Sequence, residues 1–145
     1  SDADRLVDAF YRNEHAKELI TKAEFEIPAI DNVLDFPFRG KADVLATNRI
    51  VDLKTSSSNL KDFHYSANKY GYDVQCYLYC NLFGKTYKEF VFLVLDKGSL
   101  DIGIFNCSEE FYYRGEEKVE KALDLYNKFF IEGADLDNYC LTGEL

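Results

Sequence analysis

The chain has 145 residues, 47% of them hydrophobic and 16% aromatic, and a formal charge of −9. That composition excludes disorder and fits one domain with a substantial core. No apolar run approaches the roughly 18 residues of a membrane span, and Ser1-Asp2-Ala3-Asp4 lacks the basic start and apolar stretch of a secretion signal, so a soluble, cytoplasmic protein without a membrane partner is expected.

Residues 4–21 put Leu6, Ala9, Phe10, Leu19 and Ile20 at helical spacing with charges between them, which predicts an amphipathic helix over one side of a sheet. Ala23 to Ile27 alternates as a strand does, and Pro28, with no N–H to donate, limits that strand to a sheet edge or ends it. Phe36 to Ala46 and Arg49 to Lys54 read as a hairpin turning at Thr47-Asn48. Thr55 to Asn59 offers N-caps for a helix reaching about Phe83, where Gly84 supplies the stop; this is expected to be the longest element. Phe90 to Leu95 is a continuous apolar run, typical of a strand buried on both faces by parallel pairing, so the order strand, helix, strand implies a crossover. A turn at Asp96 to Ser99 leads into a strand over Leu100 to Cys107, and Glu116 to Phe130 carries Val119, Leu123, Tyr126 and Phe130 on one helical stripe. The expected fold class is α/β, a central mixed sheet flanked by helices in the order α-β-β-β-α-β-β-α, with one domain over 1–132 and a tail over 133–145.

Cys76, Cys80, Cys107 and Cys140 form no C-x-x-C pair and have no histidine at zinc-ligand spacing, so they read as reduced, mostly buried thiols. Cys76 and Cys80 share a helical face, but two thiols alone do not make a metal site. The negative charge at first argues against nucleic acid, because Lys and Arg supply most non-specific affinity for phosphate. Its distribution argues otherwise: residues 39–88 hold eight Lys and Arg against four acids, whereas residues 1–38 sum to −5 and residues 89–145 to −8.

That basic window contains the candidate chemistry. In Ile50-Val51-Asp52-Leu53-Lys54 the two-residue period of a strand puts Asp52 and Lys54 on one face, with Asp43 on the neighbouring strand. A phosphodiester is protected by its own charge, so cleaving it needs a cation beside the phosphate and a source of hydroxide near neutral pH; carboxylate-held Mg²⁺ supplies both. Asp43 and Asp52 are the candidate metal ligands, the main-chain carbonyl of Leu53 a further oxygen, and Lys54 the group that positions water and offsets charge on the phosphate. The alternative is a surface hairpin whose Asp52 and Lys54 form an exposed ion pair contributing about 0–1 kcal/mol. Gln75 and Tyr79 are neighbours on one helical face and present donors to phosphate or base, with Val74, Leu78 and Leu82 on a different, buried face. Arg39, Lys41, Lys61 and Lys69 are candidate phosphate contacts, and His64 is either another or an ordinary surface residue.

The order helix, strand with Glu24, hairpin with Gly40-x-x-Asp43, Asp52-x-Lys54, then Gln75-x-x-x-Tyr79 resembles the PD-(D/E)XK nucleases. Within them it is most similar to the RecB-like branch and its exonuclease VIII (RecE-type) nuclease domain, including Thr55-Ser56-Ser57 after the lysine, over about residues 5–107. The resemblance implies a restriction-endonuclease-like core with Asp43 and Asp52 as metal ligands and Lys54 as catalytic base or stabiliser. Glu24 is then the upstream acid of the metal site, with Glu26 as the competing choice, and Gln75, Tyr79, Thr55, Ser56, Lys41 and Arg39 are DNA contacts. It further implies a Mg²⁺-dependent exonuclease, with Mn²⁺ as substitute, that degrades the 5′-ended strand of duplex DNA and leaves a 3′ single strand for recombination in a bacterial or phage-infected cell. A single-strand annealing recombinase is the implied partner, and a homo-oligomeric ring is one route to processivity.

Two features depart from the pattern. RecB-like nucleases carry a histidine on a helix well upstream of the first strand, and His15 stands close to Glu24. Branches with an iron–sulfur cluster carry three closely spaced cysteines near the C-terminus; Cys140 is the one found there, so no cluster is expected. Two rival readings remain at this level: a RecB-like module of a repair or CRISPR-adaptation system acting on single strands, and a catalytically silent acidic interaction domain that binds no divalent metal.

Overall fold

The computed structural model describes residues 1–131 and 142–144. Five strands, β1 (Glu24–Val33), β2 (Phe36–Ala46), β3 (Arg49–Ser56), β4 (Phe90–Asp96) and β5 (Ile102–Asn106), lie side by side in chain order. Neighbours are antiparallel except β3 and β4, which run parallel. The sheet is therefore mixed, as expected, and the segment between β3 and β4 crosses one of its faces. That face carries α3 (Phe63–Lys69), α4 (Tyr72–Phe83) and α5 (Glu109–Tyr126); the other carries α1 (Asp2–Arg12) and α2 (Glu14–Leu19).

The core follows from this sandwich. Phe90 through Val94 are all buried, because β4 is central and covered on both faces. Ile50, Phe90, Phe92 and Val94 pack under Phe63, Cys76, Cys80 and Cys107, while Val44, Val51 and Leu93 pack under Ala16, Phe10 and Ile20. Cys76, Cys80 and Cys107 are buried free thiols, whereas Cys140, with most of the expected tail, lies outside the described residues. Among the described residues no helix is long and apolar enough to cross a membrane.

Several elements differ from the sequence expectation, each for a local reason. The N-terminal helix is two helices, because Asn13 takes an extended conformation and its side chain accepts the Ala16 N–H at 3.0 Å, capping α2. β1 runs through Pro28 to Val33; it is an edge strand, where a missing N–H leaves no ladder bond unmade. The expected long helix is interrupted: a 3₁₀ turn at Leu60–Asp62 leads into α3, and Gly71, at φ +67°, separates α3 from α4. The longest described helix is consequently α5, which starts at Glu109, earlier than the expected Glu116, under a Ser108 cap. Gly115 lies inside α5, where a Cβ would run into the main-chain carbonyl of Asp73 on α4. The strand expected over Leu100 to Cys107 is shorter, Ile102–Asn106. The buried side of α4 is Asp73, Cys76, Tyr77, Cys80 and Leu82, with Val74 and Leu78 only half-buried, because the helix is wedged between the sheet and α5.

Candidate active site

The hairpin opens where the two aspartates meet. β2 and β3 are paired only from Val44 with Val51 to Ala46 with Arg49. One step further Asp43 would face Asp52, and there the pairing stops. Asp43 fills the break: its Oδ2 accepts the Leu53 main-chain N–H at 2.8 Å. The N–H and C=O of one strand residue point to the same side, so the Leu53 carbonyl is directed into the same gap.

β1 and β2 show why Asp43 turns into the ladder. Phe25 lies with Leu6, Phe10 and Val44 on the α1 side, yet Ala29 packs with Tyr77 and Leu82 on the α4 side. Likewise Ala42 belongs to the α4-side core and Val44 to the α1-side core. Regular alternation would keep each pair on one face. Both strands therefore switch faces between them, at the row of Glu26 and Asp43, where the pairing skips one rung and Glu26 adopts a left-handed φ of +55°. That conformation costs an L residue on the order of 1 kcal/mol, and such strain clusters at functional sites.

Asp52 is 7% exposed. Its Oδ1 accepts Gln75 Nε2 from α4 at 2.9 Å, and its Oδ2 faces the Lys54 ammonium at 2.9 Å with no hydrogen-bond partner of good geometry. Burial outweighs the attraction of Lys54 and pushes the Asp52 carboxyl up to about 6, with Asp43 adding to the rise. Lys54 is held from above by Tyr72, whose ring centroid is 4.4 Å from Nζ, a cation–π contact.

Helix α4 is fixed in place by contacts that share no residue with this centre. Asp73, fully buried, presents Oδ2 to Lys118 Nζ at 2.7 Å and Arg114 Nε at 3.4 Å of α5, and its Oδ1 accepts the Val74 N–H at 2.9 Å. On the strand side the Tyr79 ring rests on Gly40, where a Cβ would stand 2.9 Å from Tyr79 Cε1 and 3.1 Å from Leu82 Cδ1. Gln75 is thereby carried to Asp52 by a helix clamped at both flanks.

The candidate residues do not all converge. Asp43, Asp52, Leu53, Lys54 and Gln75 meet at the gap. Tyr79 lines a groove between β2 and α4 together with Arg39, Tyr70, Tyr72 and Gln75. Glu24 is exposed in the row of Leu45, away from Asp43, whereas Glu26 stands in Asp43's row but pairs with Lys41 at 2.8 Å, which raises the Lys41 pKa. Strand alternation puts Ser56 on the face of Lys54 and Thr55 on the opposite one; the Ser56 hydroxyl is engaged with the Ser58 carbonyl at 3.0 Å. His64 places Nδ1 3.1 Å from the Lys61 carbonyl and lines a separate pocket with Phe63, Phe105 and Cys107, and His15 is exposed on α2, in the opposite layer. Sequence reasoning missed Tyr72 and Asp73, whose partners, Lys54 on β3 and Arg114 and Lys118 on α5, are distant in the chain.

Among the described residues no three His, Cys, Asp or Glu side chains converge as a ready metal site. The donor set nonetheless fits a hard divalent cation: two carboxylates and a carbonyl at one gap, one of them a buried carboxylate whose Oδ2 lacks a well-formed hydrogen bond. In this structure Lys54 pairs with the Asp52 carboxylate, and Lys41 pairs with Glu26 in Asp43's row.

A mixed sheet between helices, opened at paired aspartates with a lysine two residues on, defines a PD-(D/E)XK-like domain. The chain belongs to the family of PDDEXK-like domains of unknown function DUF3799, whose profile matches residues 2–140. Its fold resembles the crystal structure of a candidate exonuclease from Eubacterium rectale, at a TM-score of 0.69 and 19% identity over 99% of this chain and 62% of that one. The chain thus spans less than two thirds of that protein, and at such identity the likeness is one of fold. A solved structure of SSO0001 aligns at a TM-score of 0.45 and 19% identity, over 94% of this chain and 71% of that one, too slight a likeness to argue from. No curated protein matches the sequence.

Proposed function

We propose that this protein is a Mg²⁺-dependent DNA exonuclease, with Mn²⁺ as a working substitute. The observation that carries the reading is the buried Asp52 carboxylate, raised to about 6, sharing one gap with Asp43 and Lys54. Burial disfavours that anion until further positive charge joins it. Asp43, Asp52 and the Leu53 carbonyl would hold the ion, and Glu26, closer in register than Glu24, would join them by leaving Lys41. Bound there, Mg²⁺ supplies an acidified water and neutralises the phosphate.

The remaining roles belong to the chain. Lys54, whose side chain is 20% exposed, directs its ammonium at the same gap and is placed to donate to a phosphate oxygen as charge builds on it. Tyr72 fixes that amine and Gln75 fixes the orientation of Asp52. Arg39 and Lys41, both exposed along β2, neutralise flanking phosphates.

The resemblance to the RecE-type domain supports degradation of the 5′-ended strand of linear duplex DNA in a bacterial or phage-infected cell. The exposed 3′ strand would pass to an annealing recombinase, and assembly into a ring would make degradation processive. The test is linear duplex labelled at its 5′ or 3′ ends, incubated with Mg²⁺, Mn²⁺ or EDTA. The expected result is metal-dependent release of the 5′ label first. Release of the 3′ label first would overturn the polarity, and absence of metal-dependent release would overturn the enzyme, as expected of a silent acidic interaction domain.

A further inference from the structure

Gly71 breaks the helical run after β3, and the two residues beside it are both tyrosines. Tyr72 is anchored: its ring stacks on Phe92 at 5.5 Å and 27°, lies 5.9 Å from Phe63, and holds the Lys54 ammonium at 4.4 Å. Tyr70 is not anchored in this way. Its ring lies 6.0 Å from that of Tyr72 at 30°, and the residue is 63% exposed. It stands at the groove that leads past Tyr72 to Gln75, the residue bonded to Asp52. Lys69 holds its ammonium 5.4 Å from the Tyr70 centroid, so a cation stands beside the exposed ring.

An exposed aromatic stepping outward from an aromatic anchor, with a cation beside it, is what a protein presents to the face of a nucleobase. Inside a duplex both faces of every base are covered by stacked neighbours, so a base offers a face to a side chain only once it has left its pair. We infer that Tyr70 is a stacking platform for an unpaired base next to the scissile phosphate, so that the strand being cleaved enters the groove single-stranded, with Lys69 on its phosphate. This rests on the nuclease reading and adds the form in which the substrate is taken up. The glycine break is its structural cause: a continuous helix would carry positions 70 and 72 about 200° apart around its axis and would not bring the two rings together.

The test is fluorescence anisotropy of end-labelled oligonucleotides in EDTA, where nothing is cut, with wild type, Tyr70→Ala and Tyr70→Phe. Tyr70→Ala should weaken binding of a single strand about tenfold, the scale of one base–aromatic stack, and Tyr70→Phe should keep wild-type affinity. On an oligomer of abasic nucleotides all three proteins should bind equally. An unchanged affinity in Tyr70→Ala would overturn the inference. So would an equal loss on the abasic oligomer or on relaxed circular duplex, which would mark an electrostatic or folding effect. Cleavage in Mg²⁺ is read separately: a wild type that binds through Tyr70 and cuts nothing refutes the exonuclease and leaves the platform standing.

Discussion

Asp52→Asn keeps the shape of the side chain and removes its charge, which separates what Asp52 does for the fold from what it does for metal. A carboxyl that titrates near 6 in the folded chain and near 3.8 in the unfolded one lowers stability by about 3 kcal/mol once ionised, at roughly 1.4 kcal/mol per pH unit. The sign follows from proton counting. Between those two values the folded chain holds more protons than the unfolded one, so stability falls as pH rises through the window and stays at the lower level above it. Asn has no charge to desolvate at any pH. It keeps the acceptor oxygen for Gln75, and the attraction of Lys54 for the carboxylate is already contained in the net rise to about 6. In EDTA at neutral pH the variant should therefore be about 3 kcal/mol more stable than wild type, roughly 6–12 °C in Tm, and near pH 4 the two should nearly coincide. Added Mg²⁺ should raise the Tm of wild type and leave the variant unmoved. Thermal unfolding by circular dichroism across that pH range reads all of this. A variant less stable than wild type at neutral pH, or a difference independent of pH, would refute the reasoning that burial of the charge dominates this site.

Lys54→Ala should reduce metal-dependent cleavage by about 10²–10³-fold while leaving DNA binding in EDTA within a few-fold, measured by single-turnover rates and anisotropy. Gly40→Ala drives a methyl against Tyr79 and Leu82 and should cost about 1–3 kcal/mol in chemical denaturation, with cleavage lowered as α4 shifts off β2. Asp73→Ala leaves Arg114 and Lys118 without their shared anion; because both can turn to water, the expected loss is about 2–4 kcal/mol, less than that for a fully enclosed pair.

How far the sequence could be read depended on whether a feature was local. The Thr47-Asn48 turn, the alternation that sets Asp52 beside Lys54, and the buried run of β4 each depend on a few adjacent residues, and all were legible. Pro28, which has no N–H, left open whether β1 is an edge strand or stops there; β1 takes the edge and continues to Val33. The helix breaks were not legible, because Asn13 and Gly71 sit within apolar spacing that is helical on either side, and only the capping bond at Asn13 and the positive φ at Gly71 reveal them. The start of α5 was not legible either: the apolar stripe was read from Glu116, whereas the helix begins under the Ser108 cap and includes Gly115, where α4 passes too close for any side chain. In the candidate site, Asp43, Asp52, Lys54 and Gln75, singled out from their spacing, come together at one gap, where Gln75, expected as a DNA contact, bonds Asp52. Spacing could not decide between Glu24 and Glu26, because the face switch that puts Glu26 in Asp43's row depends on two paired strands distorting together. Nor could it find Tyr72 or Asp73, whose partners lie on β3 and α5, distant in the chain.

The central claim is that the gap between β2 and β3 is a metal-dependent phosphodiesterase centre. Its most direct test is the single-turnover cleavage of end-labelled linear DNA by wild type, Asp43→Asn and Asp52→Asn, with Mg²⁺ in excess. Cleavage by wild type that is abolished by EDTA and lowered by at least about 10²-fold in each variant is the result the account predicts. Cleavage that persists in either variant, or proceeds without metal, would contradict it.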